Sequence, residues 1–429
     1  MPVRCLFLLL LSPLLLPAQT IIRNATVVDV EAKKMLPATD VLLQGNTITA
    51  VGKKITTPAG TTVIDGTGKW LMPGLVDAHV HFFQSGGLYA RPDAIDLRKI
   101  RPYDKEIAWT HNNMEALLRR YTAAGITTVV DVGATLNFLR QRDSFKNKWY
   151  APAVYMTGPL LTTYEPEVYK NLKDDAPFFL MKSVDDARAG VRRQLPLKPD
   201  FIKIWFIVLD QKNVDSAARA LMPMVNAVID EAHKNGLRVA VHATERITAG
   251  LATEAGADFL VHGVEDGPAD VKLVQLIKNK NVVMSPTLVV AGNYGKLMSN
   301  TYQITADDYR YAHPTPLATV HDMAGMKDTA RSKAYKAYFK ANAARDKRED
   351  SLRSVNLKVM ADGGVVLATG TDAGNIGTQH VSSYFDELRA MQASGLNMWQ
   401  LLQASTINGA KAVGATNFGA VKKGMIADL

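Results

Sequence analysis

Short apolar runs that end in a histidine, a lysine or an aspartate constrain the fold of this 429-residue chain more than any other feature. Residues 75–78 lead into His79 and His81, and residues 201–202 lead into Lys203. In a parallel α/β barrel the C-terminal strand ends converge on one face, and alternating side chains point His79 and His81 the same way. We therefore expect the residues at these run ends to surround a divalent metal. The other run ends are His242, His262 and Asp372.

From residue 74 onward, strand-like and helical runs alternate, which is the pattern of repeated βα units. Residues 112–124 form a predicted helix that leads into a predicted strand at 127–132. Residues 154–157 and 282–285 are the predicted third and seventh strands. The count from Leu75 to Asp372 is eight strands, so the predicted fold class is α/β, a TIM (β/α)8 barrel.

The remaining sequence predicts a second, smaller domain. Residues 20–72 alternate β-rich runs with turn signals, which favours a small antiparallel N-terminal sheet, part of a β-sandwich domain. The barrel is assigned to residues 73–415, and residues 416–429 are expected to begin the strands that return to the sandwich. Because the sequence stops inside an apolar run at residues 424–429, we expect a C-terminal truncation.

Residues 286–356 are too long for an ordinary βα connection. They form either an excursion outside the barrel or a cap over the catalytic face, and the sequence leaves both readings open. The basic stretch from 327 to 353 also contains acidic residues, which is typical of the solvated face of a helix.

Residues 1–19 have the pattern of a signal peptide. Arg4 precedes a leucine-rich core at residues 6–16, and residues 17–19 offer a cleavage site. The apolar run is shorter than the ~20 residues of a membrane span. We expect export to the periplasm or beyond, with no stable membrane insertion after cleavage. Removal of the segment takes away Cys5, the single cysteine, so neither a disulfide nor a thiolate ligand is expected.

The formal net charge of +9 does not indicate a nucleic-acid-binding protein. Lysine and arginine are spread along the chain, and no basic run carries interleaved aromatic residues. We interpret the charge as a contribution to solubility. The expected partner is a small molecule, and a homo-oligomer is left open.

The candidate ligands favour metal-assisted hydrolysis. Zinc-like ions bind neutral imidazoles and carboxylates, and two such ions can share and activate a hydroxide. A lysine ammonium is no metal ligand, so Lys203 fits only when deprotonated or carboxylated by carbon dioxide, whose carbamate can bridge two ions. Asp372 can act both as a ligand and as the group that accepts a proton from water and passes it on.

The chain resembles the amidohydrolase superfamily, in particular its imidazolonepropionase-related and prolidase-like members. The motifs that carry the resemblance are residues 73–81, 201–205, 241–243, 261–263 and 370–374. The resemblance implies two divalent ions, with zinc the expected metal, and hydrolysis of an amide bond in a dipeptide, an N-acyl amino acid or a cyclic amide. It also implies roles for single residues. His79 and His81 would bind the more buried ion, Lys203 would bridge as a carbamate, His242 and His262 would bind the second ion, and Asp372 would be ligand and general base.

Two alternative functions remain at this stage. His242-Ala243-Thr244-Glu245 has the spacing found in single-metal deaminases and imidazolonepropionase-like cyclic amidases, where the glutamate moves protons. A catalytically silent ligand-binding barrel is the second alternative. Candidate substrate contacts are Tyr164, Arg246 and His380.

Overall fold

The structure, a computed structural model, describes residues 19–326 and 329–429. The predicted signal peptide therefore lies outside the described residues, apart from Gln19. The chain divides into two compact units. One contains the described residues up to Pro73 together with Ala420–Leu429, and the other is Gly74–Gly419.

The smaller unit is built on a mixed sheet of five strands in its described residues. The second strand pairs antiparallel with both the first and the third, as the sequence predicts. The fourth and fifth strands pair parallel to the first, so the prediction of an antiparallel sheet was wrong for them. The reason is that the chain loops over residues 53–61 before entering the fourth strand, and so runs beside the first in the same direction. The strands are β1 Gln19–Asp29, β2 Lys34–Gln44, β3 Thr47–Gly52, β4 Thr62–Asp65 and β5 Trp70–Leu71.

Residues near the C-terminus pair with this unit beside β3. Ile48 donates its N–H to the carbonyl of Met425 at 2.9 Å and accepts from the N–H of Gly424 at 2.8 Å. Val27, Val41 and Ile48 form the buried centre, and the C-terminal segment adds partly buried apolar side chains to it. The core of the smaller unit is therefore drawn from both ends of the chain.

The larger unit contains two parallel sheets in its described residues. A seven-stranded sheet has the order β10-β9-β11-β12-β13-β14-β15, and a three-stranded sheet has the order β6-β7-β8. The sequence predicted eight strands, and β9 and β10 are additional strands of three residues each. The strands are β6 Leu75–Val80, β7 Ile126–Asp131, β8 Ala153–Met156, β9 Leu160–Thr162, β10 Phe178–Leu180, β11 Phe201–Trp205, β12 Arg238–His242, β13 Phe259–Val261, β14 Val283–Ser285 and β15 Val366–Leu367.

Helices surround these sheets and supply the other half of the core. Ile202, Val239 and Leu260 from the strands pack in one cluster with Val228 and Ile277 from the helices. Among the described residues, no helix combines the length and apolar character needed to cross a bilayer. The helices are α1 Tyr103–Ala123, α2 Leu136–Arg142, α3 Val184–Gln194, α4 Val214–Lys234, α5 Arg246–Ala255, α6 Val271–Asn279, α7 Val289–Met298, α8 Ala306–Tyr311, α9 Pro314–Ala318, α10 Asp322–Gly325, α11 Thr329–Gly363, α12 Ser382–Ala393, α13 Met398–Ala404 and α14 Ile407–Ala412.

The long connection after β14 is helical. It contains α7 to α10 and most of α11. Several side chains of α11 before residue 353 are exposed, in line with the predicted solvated helix face. Arg353 departs from this prediction, because it is buried and forms ion pairs with Glu265 and Asp350. This arginine therefore anchors α11 to the loop that follows β13.

Candidate metal centre

Parallel strand pairing determines where the candidate ligands lie. Lys203 is in β11, and Trp205 at the end of that strand pairs with His242 at the end of β12. His242 in turn pairs with Val261, which places His262 one residue beyond β13. Because side chains alternate along a strand, Lys203 and Trp205 share one face of β11.

A cavity of about 310 Å³ lies at these strand ends. The structure brings all six predicted ligands together here. His79 is fully buried and contacts the lining through His81, Asp372 and His262. The other five predicted ligands, His81, Lys203, His242, His262 and Asp372, line the cavity themselves.

Three of the six side chains could hold a single ion. The Nε2 atoms of His79 and His81 are 3.3 Å apart, and the Oδ1 atom of Asp372 lies 3.2 Å from the first and 3.1 Å from the second. Ligand atoms at 2.0–2.1 Å around a tetrahedral zinc ion would be about 3.4 Å apart. The spacing of the three atoms therefore fits one cation between them.

The hydrogen bonds of His81 support this fit. Its Nδ1 atom lies 2.9 Å from the carbonyl oxygen of Gly133, which can only accept, so Nδ1 carries the proton. The Nε2 atom of a neutral His81 then presents a lone pair to the Asp372 carboxylate oxygen at 3.1 Å. Two acceptors facing each other at this distance are repulsive unless a cation lies between them.

A second group of ligand candidates adjoins the first. The ring centroids of His242 and His262 are 4.4 Å apart, and His262 is 4.9 Å from His79. The Nδ1 atom of His262 lies 2.7 Å from the hydroxyl of Thr287, which fixes the orientation of its ring. Lys203 shares the cavity with both histidines, so the chain offers enough ligands for a second ion.

Burial keeps the candidate ligands in the protonation states that bind cations. It lowers the pKa of Lys203 to about 7, so that the free amine needed for carboxylation is accessible near neutrality. Burial also lowers the pKa of His79 to about 4. The pKa values of His242 and His262 fall well below the ordinary range for the same reason. His79, His242 and His262 are therefore neutral imidazoles near neutral pH, the form that ligates metals.

Strained backbone marks two of the candidate ligands. His262 has a φ of 80° and Asp372 a φ of 59°, in a region that non-glycine residues rarely adopt. Such strain persists where the surrounding structure imposes it, and it concentrates at functional sites. Gly370 lies close by, and a Cβ atom there would stand only 2.3 Å from Ser285 Oγ and 2.7 Å from His79 Cβ. Glycine at 370 thus permits the close approach of the strand that carries Asp372.

Sequence reasoning missed a network that holds Asp372. The amide nitrogen of Asn375 donates to Asp372 Oδ1 at 2.6 Å. The amide oxygen of Asn375 accepts from Arg91 and from the hydroxyl of Tyr294, both at 2.6 Å. Asp93 binds the guanidinium of Arg91 through both carboxylate oxygens, at 2.8 and 2.6 Å. Only the position of Asn375, three residues beyond Asp372, offered a sequence signal.

Asp131 was also missed, although it follows the same rule of position at a strand end. It closes β7, and its carboxylate accepts from the N–H groups of Phe82 and Gly133 at 3.0 and 3.1 Å. Its Oδ1 atom lies 3.9 Å from Nδ1 of His81. Asp131 therefore holds together the backbone that follows His81 and the loop that follows β7.

The predicted substrate contacts are not among the residues that line the cavity. Arg246 forms an exposed ion pair with Asp266. His380 is buried, and its ring nitrogens contact the hydroxyl of Tyr121 and the carbonyl of Gln84. Tyr164 is exposed, and its ring centroid lies 6.2 Å from that of Trp205, which lines the cavity.

Glu245, the proton carrier of the single-metal alternative, has another role here. Its carboxylate accepts from the hydroxyl of Thr248 at 2.8 Å in a capping box that begins α5. Capping satisfies N–H groups that the first turn of a helix leaves unpaired. Glu245 is also absent from the lining of the cavity. These observations give no support to a catalytic role for this glutamate.

Comparison with known proteins identifies the family. Residues 70–429 match the profile of the amidohydrolase family, and the chain belongs to it. A segment of 71 residues is 44% identical to a dihydroorotase of Lactobacillus helveticus. That match covers 17% of this chain and 15% of the dihydroorotase, so the chain matches only a small part of the length of such curated relatives.

Solved structures share the fold over nearly the whole chain. A Xaa-Pro dipeptidase with methionine in its active site has a TM-score of 0.67 at 22% identity, covering 96% of this chain and 92% of that one. The Aspergillus niger ochratoxinase reaches 0.70 at 19% identity, with 96% and 88% covered. The protein thus belongs to the amidohydrolase family and shares the fold of these solved structures over nearly its whole length.

Proposed function

We propose that this protein is a binuclear metal-dependent hydrolase that cleaves an amide bond in a small molecule. The observation that carries the proposal is the convergence of four histidines, a lysine and an aspartate on one cavity. Family membership supports the hydrolytic reaction. The short distances between His79, His81 and Asp372, and the position of all six side chains in or beside the cavity, support their proposed role as metal ligands.

We also propose that the two parallel sheets form one closed (β/α)8 barrel. Hydrogen bonds between the sheets support closure on both sides. Ala78 of β6 donates to the carbonyl of Thr369 at 2.8 Å, beyond the end of β15. The backbone N–H of Asp200, just before β11, donates to the carbonyl of Met156 in β8 at 3.0 Å. A closed cylinder would bring every strand end to the same mouth.

The proposed ligand roles follow the two groups of side chains. His79, His81 and Asp372 would hold the first ion, and His242 and His262 the second. Lys203 would join the two groups as a carbamate, because its burial favours the neutral amine that reacts with carbon dioxide. Nitrogen and oxygen ligands of this kind suit zinc. When bound, such ions polarise a carbonyl and lower the pKa of water.

Asp372 is the residue proposed to move protons. Burial alone would raise the pKa of this carboxyl, but the adjacent imidazoles of His79 and His81 hold it well below its ordinary range. Asp372 is therefore ionised, and its side chain lines the cavity. From that position it can accept a proton from water and deliver it to the leaving nitrogen.

Similar proteins support a small amide as substrate. A Xaa-Pro dipeptidase and a prolidase share the fold, and a short segment resembles a dihydroorotase. We propose a peptide-like or cyclic amide on these grounds. We also propose that the protein is exported, which is supported by the sequence of residues 1–19.

The test is turnover of an amide library by metal-replete protein. The library contains dipeptides, N-acyl amino acids, lactams and simple amides. We expect Asp372→Asn to lower kcat by about 10²–10⁴-fold, the usual contribution of a general acid–base group. Asparagine tolerates the backbone of residue 372, because it is one of the residues enriched at positive φ. Near-normal turnover by this variant would remove Asp372 from its role.

Two further variants separate the alternatives. Lys203→Ala should abolish turnover if the lysine bridges two ions. Glu245→Gln should leave turnover intact, because Glu245 caps α5 outside the cavity. Normal turnover by Lys203→Ala together with loss of turnover in Glu245→Gln would favour the single-metal mechanism.

A further inference from the structure

A second, larger cavity adjoins the candidate metal centre. It has a volume of about 1200 Å³, against about 310 Å³ for the inner one. It lies between α7 and the long helix α11, and Ala94 also contributes to its wall. We call this space the outer chamber. Its volume exceeds the range of about 300–1,000 Å³ typical of sites for drug-sized ligands.

The outer chamber and the inner cavity share part of their walls. Ala291 and Tyr294 on α7 line both. The hydroxyl of Tyr294 also donates to Asn375, which binds Asp372. The two spaces therefore adjoin at these two residues, one of which also contacts the partner of Asp372.

The walls of the outer chamber suit an apolar group. Ala291, Gly292 and Met298 on α7 and Ala334 on α11 contribute small or apolar surface. The arginines that line it are neutralised within the protein. Arg345 pairs with Asp346 and Glu349 at 3.2 and 3.6 Å, and Arg353 pairs with Glu265 and Asp350. The lysines on its lining, Lys296 and Lys347, are exposed to solvent.

The inner cavity also lacks an obvious site for a free carboxylate. Phe178 and Trp205 stack with their centroids 4.8 Å apart and form an aromatic wall. Arg91 lines the same cavity, but Asp93 neutralises it by a two-pronged ion pair. Asn375 and Tyr294 occupy further donors of its guanidinium. Beside the candidate metal ligands, a substrate here therefore meets an aromatic wall and an arginine whose charge is already paired.

We propose that the outer chamber is a binding subsite for the bulky apolar part of an uncharged amide substrate. The inference rests on the proposed amide hydrolysis and narrows its substrate class. A free dipeptide leaves the outer chamber unused and presents a carboxylate that Arg91 is not free to neutralise. A long acyl chain on a neutral amide fills the chamber and removes apolar surface from water.

The experiment compares two nitroanilides that differ only in acyl length, acetyl and octanoyl, with metal-replete full-length protein. Both release nitroaniline, so one absorbance reading serves for both. We expect kcat/KM for the octanoyl compound to exceed that for the acetyl compound by at least about tenfold, which corresponds to about 1.4 kcal/mol.

The Gly292→Phe variant tests whether the acyl chain of the substrate lies in the outer chamber. Gly292 lines only the outer chamber, and a Cβ atom there would meet nothing within 4 Å, so the ring can enter without a clash. We expect the octanoyl-to-acetyl ratio of kcat/KM to fall by about tenfold. Gly325→Phe is the matched control, because its Cβ also enters open space and it lines neither cavity. That variant should keep the wild-type ratio.

Binding separates the two proposals. The affinity for octanamide is measured by calorimetry in wild type and in Gly292→Phe. Weaker binding by the variant supports the outer chamber even when wild type hydrolyses neither nitroanilide, an outcome that would count against amide hydrolysis. Equal affinities, or equal kcat/KM for the two acyl lengths, would overturn the proposed subsite.

Discussion

At the residue scale, the orientation of Asn375 is the detail that most affects the proposed chemistry. Its amide oxygen receives hydrogen bonds from Arg91 and Tyr294, and Arg91 has only donors to offer. The amide nitrogen must therefore point at Asp372. Partners of this kind fix the position of metal-binding side chains and tune their affinity.

Asn375→Asp should weaken metal binding by about 10–100-fold, the usual effect of losing such a partner. The new carboxylate would face the Asp372 oxygen where a donor now stands 2.6 Å away. Competition with a chelator measures the affinity, and circular dichroism checks the fold. Tyr294→Phe serves as the control, because Arg91 still holds the Asn375 amide. Unchanged affinity in Asn375→Asp would contradict the assigned orientation.

The cavity brings together residues that the sequence marks by their position at or just beyond a strand end, such as His242 and His262. Lys203 is instead the third residue of the five-residue β11, so its signal was the apolar run before it and not a strand end. Arg91 and Asp93 could not be found from such signals, because they lie in a loop whose path depends on tertiary contacts with α7 and the segment after β15. His380 has a suitable side chain near Asp372, but packing against Phe82 at a centroid distance of 5.3 Å buries it.

At the element scale, α12 holds the beginning of α7. The carboxylate of Glu387 in α12 accepts from the N–H of Leu288 at 2.9 Å and from that of Val289 at 3.1 Å. These N–H groups lie at the start of a helix, where intrahelical partners are lacking. Because α7 lines both cavities, the contact positions the wall that they share.

The stability of the fold should depend on pH through Glu387. Burial raises the pKa of its carboxyl from 4.5 to about 8. Since the folded pKa lies above the unfolded value, the stabilisation is complete below about pH 4.5 and is lost as the pH rises through about 8. Glu387→Gln stays neutral, so wild type should lose stability relative to it over this range. We expect the free energy of unfolding of wild type to fall by more than about 1.4 kcal/mol relative to that of Glu387→Gln, since one pKa unit corresponds to this amount.

Denaturant unfolding of both proteins at several pH values measures this difference. Asp386→Asn, a neighbouring carboxyl of the same helix, shows whether the effect belongs to residue 387. A constant difference between wild type and Glu387→Gln from pH 5 to pH 8 would contradict the prediction.

The elements that the sequence failed to predict are those with the weakest local signals. The strands β9 and β10 have three residues each, and among the described residues no α-helix lies directly before either of them in the way that α5 precedes β13 and α6 precedes β14. The parallel pairing of β4 and β5 with β1 depends on the course of the connecting loop, which hydrophobic pattern does not encode. By contrast, the helix predicted at residues 112–124 corresponds to the second half of α1, Tyr103–Ala123.

At the scale of the whole molecule, the chain divides its tasks between two units. All six candidate ligands belong to Gly74–Gly419. The smaller unit has its own buried centre at Val27, Val41 and Ile48. We therefore expect changes in this centre to loosen the smaller unit without removing metal ligands.

Ile48→Ala should destabilise the smaller unit by about 2–5 kcal/mol, the range for truncating a buried isoleucine. Ile48 is fully buried, whereas Val63 on β4 is 61% exposed. Val63→Ala should therefore change stability by no more than about 0.5 kcal/mol. Hydrogen exchange reports on each unit separately. Fast exchange confined to β1–β3 and the C-terminal segment is expected, and unchanged exchange there would contradict the assigned core.

Lys203 is proposed to join two groups of ligands around a pair of ions. Elemental analysis of protein expressed in metal-replete medium measures the number of ions that each chain binds. Wild type should hold about two divalent ions per chain, and Lys203→Ala at most about one. Lys212→Ala, a change on the exposed loop after β11, should match wild type. Wild type without metal, or equal metal content in wild type and Lys203→Ala, would exclude a bridging role for Lys203.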